Sequence, residues 1–108
     1  MEIRKVIAIV RSSALQDVLK SLKALKVEGV TVFPVKGYGE HANFYKSDWM
    51  VDNVKVELFT KLSRVDAIVN AILESPHAGV AGHGMIAVMP VEKLYRINTG
   101  AEATPDEI

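Results

Sequence analysis

The residues of this chain best suited to holding a small ligand lie at positions 79–100, GVAGHGMIAVMPVEKLYRINTG. Gly79, Gly82 and Gly84 permit positive φ and let bare backbone N–H groups converge, which is how a loop cradles an anion. The same spacing also suits a plain tight turn ahead of a buried strand. The residues beyond the glycines favour a ligand. Residues 85–91, MIAVMPV, are a short apolar run fit for a strand with two covered faces, and Pro90 removes one ladder donor, so that strand should end there or lie at an edge. Just past it, Tyr95, Arg96, Asn98 and Thr99 supply a fixed cation and several hydrogen-bonding groups.

A second concentration of reactive side chains occupies residues 37–53, GYGEHANFYKSDWMVDN, where periodicity dissolves. Loops this long in a compact domain are usually functional or disordered, and Tyr38, His41, Phe44, Tyr45 and Trp49 are residue types that contact partners. Phe44 and Trp49 folding back onto the sheet is the structural alternative. His41, His77 and His83 are metal-ligating types, but no HxH or HxxxH spacing links them. His41 and His83 would be the pair for a shared metal site. Loop-surface positions, and anion contact by His83, compete with that reading, and no metal is expected. Asp48, Asp52 and Glu57 read as solvated charges, Ser13 and Ser63 as helix caps. With no GxSxG, Walker lysine or paired-carboxylate motif, the chain is not expected to be an enzyme.

Composition narrows the class. A chain of 108 residues fits one domain and can bury a core without staples. Lys plus Arg equals Asp plus Glu at 13 each, with no basic block, which argues against nucleic acid. The absence of cysteine excludes a disulfide framework, a thiolate metal site and a Cys nucleophile. MEIRKVIAIVR has too short an apolar run for a signal peptide or membrane span, so a cytoplasmic protein without membrane insertion is expected. At 49% hydrophobic residues, apolar surface should remain to be shared between subunits.

Periodicity places these groups on elements. Residues 3–10 read as a strand, and Ser13 with Gln16 as a capping box for a helix over about 14–26, with Leu15, Val18, Leu19, Leu22 and Leu25 at helical spacing. Gly29 should close it. Residues 30–36 predict a second strand with Pro34 at an edge or bulge, residues 54–59 a half-exposed third, and Ser63 with Asp66 the cap of a second helix that Pro76 ends. A strand over 85–91 and a short acidic, weakly ordered tail over 101–108 complete the chain. This order describes an α+β, ferredoxin-like βαββαβ fold: a four-stranded antiparallel sheet with two helices on one face. Its other face needs cover, so subunits should pack through their sheets.

The GYG ending the second strand, the long loop after it, KVELF at 55–59, the GVAGHG loop and YRINTG at 95–100 together resemble the PII signal-transduction family and its PII-like relatives, over almost the whole chain. The resemblance implies one domain over residues 1–100, with a T-loop at 37–53, a glycine-rich B-loop at 76–84 and a C-loop at 94–100. It implies a homotrimer whose inter-subunit clefts bind an adenine nucleotide, and whose T-loop controls a partner such as a membrane transporter or regulated enzyme. Carried over by position, Gly37, Tyr38 and Gly39 stand at the T-loop base, and Gly29 with Thr31 in a segment that meets the nucleotide from the neighbouring subunit. Ile9, Glu57 and Phe59 stand around the base, Gly82, His83 and Gly84 in the phosphate loop, and Arg96 at the first arginine of the last motif.

The departures shape the ligand. Nitrogen-sensing members have an Arg-Gln pair after the GxG where this chain has Glu40 and His41, lysines where Asn53 and Met85 stand, and a second arginine where Asn98 stands. Each charge-assisted phosphate bond is worth roughly 1.5–3 kcal/mol, so magnesium-ATP is disfavoured against AMP, ADP or a cyclic nucleotide such as cyclic AMP. Sensing of 2-oxoglutarate and uridylylation at Tyr45 are not expected. Similarity to diverged relatives linked to inorganic carbon adds bicarbonate as a candidate co-ligand. The alternative is a metal-responsive or ligand-free interaction protein on the same trimeric scaffold.

Overall fold

Alternating burial on each long strand settles which way the sheet faces. In the computed structural model, which describes residues 2–38, 50–76 and 84–108, Val6, Ala8 and Val10 of β1 (Ile3–Arg11) are buried while the residues between them are half-buried. Val54, Val56 and Leu58 of β3 (Val51–Lys61) repeat the pattern. These six meet Val18 and Leu22 of α1 (Leu15–Ala24) and Ile68 and Ile72 of α2 (Val65–Glu74) in one core. With β2 (Thr31–Gly37) and β4 (Met85–Val91) the sheet has the order β2-β3-β1-β4 and every pairing is antiparallel, the ferredoxin-like arrangement expected. Pro34 and Pro90 lie on the two edge strands, where a missing N–H breaks no inner ladder.

The opposite face carries no helix. Ile7 and Ile9 of β1, Phe33 of β2, Phe59 of β3, and Met85, Ala87 and Met89 of β4 share it, interrupted by Lys5, Lys55 and Glu57. Lys55 Nζ sits 4.8 Å from the Phe33 ring centre, and Lys5 Nζ lies 2.6 Å from Glu57 Oε1. Lys5, Lys55 and Glu57 are thus drawn onto neighbours, which leaves a surface rich in apolar side chains.

Several local expectations are corrected. The third strand is not confined to 54–59: Asp52 and Asn53, poor strand formers, are carried into β3 by pairing with Arg11 and with Val35 and Lys36 on either side. Neither serine caps a helix. Single 3-10 turns, Ser12–Ala14 and Leu62–Arg64, lead into the helices with no side-chain cap bond from Ser13 or Ser63, while the adjacent Ser12 Oγ donates to the Asp52 carbonyl at 3.3 Å. Helix α1 ends at Ala24, not near 26, and Lys26 at φ 62°, rather than Gly29, terminates it. The Val27 N–H reaches the Leu22 carbonyl at 3.0 Å and the Lys26 N–H the Lys23 carbonyl at 2.9 Å, a Schellman closure that presses Val27 onto the core. Nor is the 101–108 segment loose. Ala103 is 1% exposed, its N–H donates to the Leu94 carbonyl at 2.7 Å, and Pro105–Glu107 forms a 3-10 turn.

Candidate functional site

Strand β2 begins opposite Glu57, so β3 runs on past it and a gap opens along that edge. The gap is a cavity of about 710 Å³, within the range typical of small-molecule sites, roughly 300–1,000 Å³. Its walls are the 26–31 segment after the α1 closure, residues 57–60 of β3, Arg64, and parts of the 94–108 segment.

The last wall is built by a hairpin-like turn. The Arg96 N–H bonds the Ala101 carbonyl at 3.0 Å and the Gly100 N–H the Arg96 carbonyl at 2.8 Å. Gly100 sits at φ 69°, which a side chain would strain, while Tyr95 bridges to Glu102. This fixes the backbone of Arg96 at the cavity. Its guanidinium is 44% exposed, with Nε 3.1 Å from Glu107 Oε2 and a terminal nitrogen donating to the Glu107 carbonyl at 3.0 Å. Phe59 and Tyr95, 44% and 55% exposed, offer ring surface to a flat ligand. A Cβ built on Gly29 meets no atom within 4 Å, and no positive φ demands glycine there. Its bare backbone leaves room for a group lying against it.

Of the residues expected at the site, the chain brings Gly29, Thr31, Glu57, Phe59 and Arg96 to this cavity. Ile9, Gly37, Tyr38 and Gly84 line no part of it. Gly37 pairs with Val51, six residues along β3 from Glu57, or roughly 20 Å at about 3.3 Å per residue. Gly84, at φ 129°, leads into β4, where Met85 pairs with Ile9. The expected residues thus fall into two groups separated along the sheet. Gly39, His41, Phe44, Tyr45, Trp49, His77, Gly82 and His83 lie outside the described residues.

The sequence reading missed two cations, Lys26 and Arg64. Arg64 donates to the Leu25 carbonyl at the end of α1, a contact across 39 positions that local spacing does not reveal. It also missed Thr60, 2% exposed, whose hydroxyl has no hydrogen-bond partner among the described residues. Among the described residues no cluster of acidic and histidine side chains could hold a metal ion, and no helix is long and apolar enough to cross a membrane.

Glu57 gives the site a pH response. The hydrogen bond from Lys5 holds its carboxyl below the usual carboxylate range; loss of hydration opposes this, and the charges of Lys5 and then Lys55 add to the lowering. A depressed folded-state pKa contributes stability that is complete above the ordinary carboxylate pKa and is lost as pH falls through the depressed value. Acid denaturation midpoints of the wild type and Glu57→Gln should therefore differ, with the wild type losing stability more steeply as pH falls through that window. Parallel curves would show that the pair adds nothing.

The cavity can be set beside known proteins. The family model for Nitrogen regulatory protein P-II matches residues 3–101. The chain is 37% identical over 106 residues to Nitrogen regulatory protein P-II of Pasteurella multocida, covering 92% of this chain and 95% of that protein. It is 35% identical over 106 residues to Nitrogen regulatory protein P-II 1 of Escherichia coli K12, with the same coverage of 92% and 95%. A crystal structure of Arabidopsis thaliana PII bound to citrate superposes with a TM-score of 0.79 at 34% identity, covering 94% of this chain and 86% of that one.

Proposed function

The chain belongs to the Nitrogen regulatory protein P-II family of regulatory proteins, and from that premise we propose that it works as a trimeric sensor binding an adenine nucleotide of low phosphate number between subunits. The observation that carries this reading is Arg96, held by a hydrogen-bonded turn in the wall of a ligand-sized cavity. Phe59 and Tyr95 suit a base, Gly29 leaves space beside backbone, and Arg96 suits a phosphate.

Charge argues for few phosphates. Lys26, Arg64 and Arg96 line the cavity together with Glu28, Glu57, Asp106 and Glu107, so its walls hold more carboxylates than cations. A triphosphate would meet that balance unfavourably, whereas AMP, ADP or cyclic AMP asks for less. The separation of the expected residues supports a cleft between copies. If three sheets pack through the apolar face around Ile7, a neighbour can bring its Gly84 and Gly37 end to this chain's Arg96 end. Control of a transporter or enzyme would then pass through the 37–53 loop. That Arabidopsis PII is bound to citrate, a small polyanion, shows what a family member accepts.

Isothermal titration with AMP, ADP, ATP and cyclic AMP, each with and without bicarbonate, tests the proposal. Micromolar binding of a mono- or diphosphate, with ATP no tighter, is expected. Silence with all four would overturn it.

A further inference from the structure

We propose that Glu107 is a selectivity residue: its carboxylate occupies Arg96 as an internal substitute for a ligand's phosphate and is displaced when the phosphate binds. This rests on the nucleotide reading above.

Three features build the contact. Ala103, 1% exposed and bonded through its N–H to the Leu94 carbonyl at 2.7 Å, anchors the segment beside Arg96. The 3-10 turn Pro105–Glu107 comes next, closed by the Glu107 N–H on the Thr104 carbonyl at 3.0 Å. That turn presents both oxygens Arg96 needs, Oε2 at 3.1 Å from Nε and the main-chain carbonyl at 3.0 Å from a terminal nitrogen. A guanidinium binds phosphate with the same two-pronged fork, so Glu107 and a phosphate compete for one set of donors.

The contact is built to yield. In the separate chain both side chains are 44% exposed, and ion pairs so open to water hold weakly. A neutral ligand has no need of the fork and leaves Glu107 in place. An anionic ligand must displace it, so Glu107 sets the threshold for charged ligands alone.

The test is titration of ADP and of adenosine into the full chain and its Glu107→Gln and Glu102→Gln forms. Glu102 removes the same charge from the same segment without touching Arg96 through its side chain. Glu107→Gln should bind ADP about two- to fivefold tighter, the scale of an exposed ion pair, with adenosine unchanged and Glu102→Gln like the wild type. Equal ADP affinity in all three, or an equal gain in both variants, would overturn the competition. Modification of Arg96 by phenylglyoxal, read by peptide mass, tests the contact without nucleotide. It should run faster in Glu107→Gln than in the wild type, and equal rates would overturn the guard. Failure of ADP to bind any form while that rate difference holds would instead overturn the nucleotide reading.

Discussion

Arg96→Ala should lower ADP affinity by about 10- to 150-fold. That range derives from the roughly 1.5–3 kcal/mol carried by a hydrogen bond to a charged group, converted to binding. The loss should fall on binding and spare the fold. Arg96 is 44% exposed and its ion-pair partner is Glu107, so removing it costs the folded chain no more than about 1 kcal/mol. The turn that holds it is made of backbone bonds that alanine keeps. Titration together with a denaturation curve would show the split. On the alternative reading, a scaffold that responds to metal or to no ligand, the same variant would leave the metal response intact.

If the chain forms the proposed sheet-to-sheet trimer, Ile7→Lys should leave it monomeric at micromolar concentration. Ile7 sits in the middle of the helix-free face, opposite Glu57 on β3 and Ala87 on β4. In the separate chain it is half-buried, and a lysine there gains a carboxylate neighbour, so the fold tolerates it. In a sheet-to-sheet trimer the same position would place three ammonium groups around one axis, and desolvating each costs several kcal/mol. Sedimentation equilibrium would follow the change, and nucleotide binding should fall with it, because each cleft then lacks its second wall. A trimer that survives Ile7→Lys would mean the subunits meet through another surface.

Periodicity made most of the fold legible. Alternation in β1 and the spacing of Val18, Leu22, Ile68 and Ile72 are properties of one element against one core, and they survive in the chain as a pattern. Proline was legible for the same reason, since Pro34 and Pro90 restrict any strand that contains them. What escaped was decided elsewhere in the molecule. Asn53 joins β3 because both flanking strands offer it a ladder partner, and Asp52 because β2 runs on beside it. Lys26 takes a left-handed conformation because Val27 must turn back onto the core, and a pattern search looks for glycine there. The 101–108 segment looked like an acidic tail because its anchor is one small buried residue, Ala103, bonded to the Leu94 carbonyl.

The site divides along the same line. Arg96 was legible because a cation just past the last strand, with a turn glycine soon after it, is a local signal. Glu57 and Phe59 were placed through resemblance and do reach the cavity. Lys26, Arg64 and Glu107 were not legible, because each arrives through a contact between elements. The expectation of fewer phosphate cations rested on departures from the family pattern at Asn53, Met85 and Asn98, none of which lines this cavity. The carboxylates that Glu28, Asp106 and Glu107 bring to the cavity needed the fold.

The most direct test of an inter-subunit nucleotide sensor is a native mass spectrum of the chain with increasing ADP. A trimer that fills stepwise to three nucleotides, with no monomer carrying one, is the result expected. A monomer that binds ADP alone, or a trimer that takes up none, would contradict the account.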